Sequence, residues 1–357
     1  MAQQTLGRLS GRTSSEPETR ERTYWRLVAE KLWRDKLTVF AFVLLVFIAG
    51  ITLGAEWIGD NALGFRPDRI DLRQRNAPPT WADEAWPIFL EFSQTCQSGQ
   101  GCNGSLWGGM MGASVDGVGR CFAADLGSCH WLGTDAAGRD VLTRGLYGGR
   151  ISLRIGIWVA LIIMTLGVVL GLISGYYAAT FIDDVVNAVI MTLNSIPLLF
   201  LLIMLATVFR PNAEGLAFML GIFGWMGVSR LIRGQIFSIR ERDYILSSRA
   251  MGATAWRIMF RHVLPNVSSI VIVSGVFTVA GAIIAEAGLS YLGVGIGPPL
   301  PSWGNMMQGS LGSFSKAPWL VFTPGLFIFM TTLSIYLIGD GLRDALDPWV
   351  KSINHKS

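Results

Sequence analysis

GVSRLIRGQIFSIRERDYILSSRAMGATAWRIMFRH, the stretch from Gly227 to His262, decides the fold. Val-Leu-Pro-Asn follows it at once and runs into a further apolar segment. From Arg230 to Arg261 it holds seven arginines against two acids, Glu241 and Asp243. A strongly basic loop between two hydrophobic spans belongs on the cytoplasmic side of a membrane. Its second half carries an internal order. Trp256, Met259, Phe260 and Val263 recur at i, i+3, i+4 and i+7, which makes one helix face apolar. Arg257 and Arg261 lie one turn apart on another face. Gly252 before the pattern and Pro265 after it predict a short helix with a sharp turn at each end. Such a helix either lies on lipid headgroups or docks a soluble partner.

Composition sets the class around this stretch. Of 357 residues, 51% are hydrophobic and 15% charged, well below the ~25% charge of soluble domains, so the expected fold is an all-α, polytopic membrane protein. Leu37–Leu53, Ile155–Ala179, Val185–Phe209, Val263–Ala285 and Ala317–Gly339 contain no Asp, Glu, Lys or Arg. Gly215–Ser229 is a sixth candidate but falls short of the ~17 residues a span needs, so it must extend through Leu231 and Ile232 with Arg230 snorkelling. Six transmembrane helices are therefore expected. The tail to Lys36 has eight basic residues, and the connections near Arg210–Gly215 and Ser290–Lys316 have one each. By the positive-inside rule both termini and the Arg-rich loop are cytoplasmic, and Ala55–Arg150 is external. The organisation expected is a tail and interfacial helix over 1–36 and a first span over 37–54. An external loop over 55–150, a five-helix core over 151–345 containing a coupling loop at 230–265, and a tail over 346–357 complete it. In the first region Trp25, Val28 and Leu32 share a face ringed by basic residues, which suits a helix in contact with membrane lipids. The net charge of +4 needs no nucleic acid to explain it.

All four cysteines, Cys96, Cys102, Cys121 and Cys129, fall in the external loop. None is spaced C-x2-C, and His130 is the nearest histidine. Disulfides are favoured over a zinc site, because this side is oxidising and the surrounding Gly-rich segment needs staples. Thr134, Asp135, Arg139 and Asp140, with Gly133 and Gly138, form a polar knot that either anchors the second span or contacts a partner. Catalysis has no foothold. There is no H-E-x-x-H and no G-x-S-x-G, and the absence of any Gly-Lys pair excludes the nucleotide-binding P-loop. Ionisable residues, which an ion-driven carrier needs inside its spans, are nearly absent there. Glu286 is the exception, as either a structural carboxylate or a polar lining of a pathway. Asn194 and Ser195, just before Pro197, interrupt the third span as a packing kink or as pathway residues. Gly167, Gly171 and Gly175 repeat at four-residue spacing and permit close helix packing.

Five stretches carry a family resemblance. SSRAMGATAWRIMFRHVLPN (Ser247–Asn266) resembles the EAA loop of binding-protein-dependent ABC importer permeases. Gly252, Leu264 and Pro265 match it, whereas Leu246, Ser247 and Ser248 stand where the triplet would be. RIDLRQRNAPPT (Arg69–Thr80), HWLGTDAAGRDVLTRGLYGGRISLRIG (His130–Gly156), EAGLSYLGVG (Glu286–Gly295) and GDGLRDALDP (Gly339–Pro348) resemble further blocks of the oligopeptide/dipeptide/nickel branch, in order. The long external loop and Phe223–Tyr244 are similar to its microcin C-type peptide permeases. Trp81–Cys129 looks like an insertion between blocks that lie together in the family. The resemblance implies a type I ABC permease in the inner membrane that moves peptides or a related small solute by alternating access. It implies a homologous second permease, two ATP-binding subunits and an extracytoplasmic solute-binding protein as partners, with ATP and Mg on the ATPase subunits and no cofactor in this chain. Arg249, Ala250, Gly252, Ala253, Trp256, Arg257, Phe260, Leu264 and Pro265 would then contact the ATPase. The alternative is a non-transporting receptor or scaffold that binds a ligand through the Cys-rich loop.

Overall fold

Polar caps fix where the apolar helices begin. The computed structural model describes residues 18–63, 65–82 and 129–346. A first helix, α1 (Glu18–Arg34), precedes the first span, α2 (Lys36–Leu53). Asp35 opens α2 by accepting from the Leu37 and Thr38 amides at 3.2 and 3.3 Å. Asp140 opens α3 (Val141–Tyr176) by accepting from the Thr143 amide at 2.7 Å. An aspartate at the N-cap satisfies an otherwise orphaned amide and complements the helix dipole. That cap explains why α3 starts at Val141, inside the stretch assigned from sequence to the external loop. The helix carries Arg144, Arg150 and Arg154 on its first turns before the apolar run takes over.

The third span is not one helix. α4 (Phe181–Asn194) and α5 (Leu198–Phe209) meet at an angle of 77°. Pro197 has no amide hydrogen to continue the ladder and pushes Ile196 out of the helical region. The fourth span, α6 (Ala213–Gly224) with α7 (Met226–Ile239), covers 27 residues, longer than the sequence expectation. It runs past Ile232 because Arg233 turns inward to a carboxylate, Asp183, at 2.7 Å, so the helix need not end where its charges begin. After α8 (Asp243–Ala250), α9 (Ala255–Ile258) passes through a π turn at Met259–Val263 into α10 (Leu264–Tyr291). Pro265 was expected to close a short helix. Instead the segment Ala255–Tyr291 stays helical throughout. The widened π turn just before the proline relieves the clash of its ring with the preceding carbonyls. A short helix, α11 (Trp303–Met307), and a span, α12 (Trp319–Leu346), follow. Six crossings result when the bent pair counts as one.

α3 is the central post, packed by α2, α6, α7 and α10. Its small-residue stripe meets α7. A Cβ on Gly167, Gly171 or Gly175 would lie within 2.9 Å of Val228, Ile232 or Ile236 respectively. The two backbones can approach this closely only because those positions lack a side chain. The helix ends sort into two faces. On one, Lys31 donates to the Asp344 carbonyl, and Arg249 lies over Tyr176. Leu231 and Gln235 of α7 line one cavity with Arg343 and Leu346 of α12, so the end of α12, and α1 with it, share a face with the Arg-rich segment. On the other, the Trp319 indole donates to the Thr134 carbonyl at 3.1 Å and the Trp303 indole to the Gly145 carbonyl at 2.9 Å.

A candidate coupling surface

The Arg-rich segment is built from two capped helices and a Gly turn. α7 ends at Ile239, and the Arg240 guanidinium donates to the Ala178 carbonyl at 3.0 Å. In α8, Ile245 is buried with Leu172, Ile232 and Ile258, which seats the helix on the ends of α3 and α7. The Arg249 guanidinium lies 5.3 Å from the Tyr176 ring centre. The Gly252 amide donates to the Arg249 carbonyl at 3.0 Å and the Ala253 amide to the Ser248 carbonyl at 3.1 Å. With Gly252 at φ +80°, these two bonds form a Schellman stop. Thr254 then starts α9, its hydroxyl accepting from the Arg257 amide at 3.4 Å. The Asn266 side chain ties α10 back to the Tyr244 hydroxyl at 3.1 Å.

This geometry divides the apolar stripe of α9. Ile258, Met259 and Val263 point into the chain's own core, with Leu264 and Ala253 packed against it. Met259 and Val263 therefore do not belong to an outward face, as their spacing suggested. The π turn changes the residues per turn within the stripe, so its two edges diverge. Trp256 remains outside, 62% exposed, with its ring 4.1 Å from that of Phe260. Met251 at the turn is 81% exposed. Arg249, Ala250, Arg257 and Pro265 are exposed around them. The outcome is a projecting apolar tip with a basic rim, anchored underneath by aliphatic packing.

The other candidate residues lie apart from this surface. Asn194 and Ser195 are exposed at the α4–α5 elbow, where the Ser195 hydroxyl donates to the Thr192 carbonyl at 2.6 Å. Glu286 is enclosed, at 0% exposure. It accepts from the Ser152 hydroxyl at 2.9 Å and the Ser290 hydroxyl at 2.7 Å. Within the single chain it sits at a buried polar junction between α3, α10 and the approach to α11.

The external knot closes a loop base. The Asn76 amide donates to the Asp135 carbonyl at 2.9 Å, the Thr80 amide to His130 at 3.0 Å and the Thr134 amide to Ala77 at 3.0 Å. The carboxylate of Asp135 accepts from Arg139 at 2.7 Å, and that of Asp140 bonds His130 at 2.9 Å. The two flanks of the inserted segment thus pair directly. Cys129, at that base, is disulfide-bonded; Cys96, Cys102 and Cys121 lie outside the described residues. Sequence reasoning missed one further cluster, around Asp183. A usable signal existed: an acid just after the Tyr177–Thr180 turn, together with an arginine in the middle of a helical stretch.

Comparison with known proteins agrees with this architecture. Residues 167–352 match the family described as binding-protein-dependent transport system inner membrane component. Residues 23–79 match the N-terminal TM domain of oligopeptide transport permease C. The dipeptide transport system permease protein DppC of Bacillus subtilis is 40% identical over 220 residues, 61% of this chain and 68% of that protein. The glutathione transport system permease protein GsiD of Pectobacterium atrosepticum is 40% identical over 225 residues, 63% of this chain and 74% of that one. The oligopeptide transport system permease protein OppC of Haemophilus influenzae is 31% identical over 327 residues, 92% of this chain and 89% of its own. With the family match spanning more than half of the chain and helices enough for six crossings, this protein belongs to the inner membrane components of binding-protein-dependent transport systems, as a multi-pass permease subunit.

Proposed function

We propose that the chain is the permease subunit of an ATP-driven importer of di- or oligopeptides, working by alternating access. Its partners are a homologous second permease, two ATP-binding subunits that carry ATP and Mg, and an extracytoplasmic solute-binding protein. The observation that carries this proposal is the projecting tip of Met251 and Trp256 with its basic rim, set on the face that holds the end of α1 and the end of α12. That face is cytoplasmic by its charge. The peptide class comes from the relatives, which are named for dipeptide, oligopeptide and glutathione transport. ATP-driven closure of the ATPase pair would push the tip, and the aliphatic cluster beneath would carry the push into α3, α7 and α10. Asn194 and Ser195 at the elbow are the pathway candidates. A receptor that works without an ATPase is disfavoured by membership of this family.

Reconstitution tests the proposal. The tagged chain should retain both ATP-binding subunits in mild detergent, and vesicles should take up a radiolabelled pool of di- to pentapeptides only with ATP and binding protein. Failure to retain the ATP-binding subunits, or uptake indifferent to ATP, would refute it.

Gly252 gives a sharper expectation. A Cβ there would meet nothing within 4 Å, so any penalty is in the backbone alone. Holding φ +80° costs an L-residue ~1–2 kcal/mol, and a β-branched one more. Gly252→Val should leave insertion intact but lower uptake per ATP several-fold, with Gly252→Asn close to wild type because asparagine tolerates this region. Hydrogen exchange across Asp243–Ala255 reads the strain directly, and equal protection in wild type and Gly252→Val would contradict it.

A further inference from the structure

Asp183, the third residue of α4, is 2% exposed, and donors from three helices and a turn converge on its carboxylate. It accepts from Arg233 Nε at 2.8 Å and Nη2 at 2.7 Å, from the Ser174 hydroxyl at 2.5 Å and from the Asn187 amide at 2.6 Å. The Ala179 amide adds a fifth bond at 3.1 Å. Ala179 itself sits at φ +64°, a left-handed conformation that a residue with a Cβ adopts only when its surroundings hold it. Asp183 holds it from one side. The Arg240 bond to the Ala178 carbonyl, at 3.0 Å, holds the same turn from the other.

The rest of α4 is thinly attached. Of its 14 residues only Asp183 and Ile190 are buried. Ile190 packs on Trp225 and Met226, at the junction of α6 and α7. Both attachments of α4 reach the fourth span as well as α3, which supplies Ser174 and the packing of Leu166 and Leu170, and α7 is the helix whose Ile232, Ile236 and Ile239 pack with Ile245 and Ile258 of the coupling segment. Beyond α4 comes the 77° elbow. Apolar contacts would hold two helices together as well as a buried ion pair does, or better. What a two-pronged Arg–carboxylate pair adds is a fixed direction, because the guanidinium fork accepts one geometry.

We propose that Asp183 and Arg233 are positioning residues of the transport cycle: their pair makes the broken third span follow the coupling segment, so that movement of α8 and α9 re-angles the elbow at Asn194–Pro197. The inference rests on the permease function proposed above. Without the pair, the coupling segment and α7 still move with the ATPase, but α4 lags.

The test uses the assembled complex of both permeases, the ATP-binding subunits and the binding protein in proteoliposomes, with the same peptide pool. Uptake per ATP hydrolysed is compared among wild type, Asp183→Asn, Arg233→Lys and the exchanged pair Asp183→Arg with Arg233→Asp. The expected result is retained assembly, ATP hydrolysis within about twofold of wild type, and uptake per ATP lowered about tenfold in Asp183→Asn. Arg233→Lys keeps the charge and loses the fork, so it should show a smaller loss with assembly intact, and the exchanged pair should recover part of the efficiency. Unchanged uptake per ATP in Arg233→Lys and Asp183→Asn overturns the proposal. So does a loss of uptake that tracks the loss of assembled complex in both, which would make the pair a folding element only. If Asp183→Asn fails to assemble, Arg233→Lys alone decides. A wild-type complex that neither keeps its ATP-binding subunits nor imports peptide removes the permease function, and this inference with it. A wild type that imports, alongside variants equally efficient, removes the inference alone.

Discussion

Alanine at both Trp256 and Phe260 is expected to weaken docking of the ATP-binding subunits by ~3 kcal/mol or more, about a hundredfold in affinity, while the chain still inserts and folds. The two rings touch at 4.1 Å, so their contributions are coupled and the double variant is the informative one. Trp256 is exposed in the isolated chain and contributes little to its core, so truncation acts on the complex. Phe260 is half-buried against the aliphatic cluster, and its loss takes a modest part of the folding stability as well. Met259 is the control. It is the immediate neighbour but fully inside, so Met259→Ala should destabilise the chain by ~2–3 kcal/mol without a matching defect in docking once the folded fraction is equalised. Retention of ATP-binding subunits on the tagged permease, set beside its thermal midpoint, separates the two effects. Wild-type retention by the double variant would remove the tip from the interface.

The spans were legible in the sequence because burying charge in a bilayer is costly, so charge-free runs stand out in a way no soluble helix does. Gly252 was legible for a similar reason: a helix stop is local chemistry. What stayed hidden depends on partners distant along the chain. Asp183 meets Arg233 fifty residues away, and nothing in the spacing joins them. The elbow was visible as Pro197, but its 77° angle is not set by proline alone. Met259 and Phe260 are adjacent residues of one stripe, yet one is core and the other half-exposed. Periodicity gives a face, and a π turn inside the stripe then divides it. The insertion was legible as two separated blocks. Its closed base was not, because the bonds from Asn76 to Asp135 and from Thr80 to His130 run between main-chain groups and leave no mark in side-chain identity.

Glu286 is likewise held by partners distant along the chain, and it carries the second large expectation. Its carboxylate collects the hydroxyls of Ser152 and Ser290, and those hydroxyls are themselves committed. Ser152 accepts from the Trp303 amide at 3.3 Å, and Ser290 from the Ile296 amide at 3.1 Å. Removing the carboxylate therefore strands several buried polar groups at once, and a residual cavity adds to the cost. Glu286→Ala should lose ~3–5 kcal/mol, which in a chain of this size lowers the thermal midpoint by roughly 4–7 °C. Glu286→Gln keeps the volume and one acceptor, and a serine hydroxyl can rotate to accept from the new amide, so it should cost about 1 kcal/mol. Transport by Glu286→Gln should then stay near wild type, and transport by Glu286→Ala should fall only as far as the assembled complex does. The opposite pattern, a stable Glu286→Ala with an assembled but inactive Glu286→Gln, would mean that the carboxylate acts in the cycle itself and not in holding α3, α10 and α11 together.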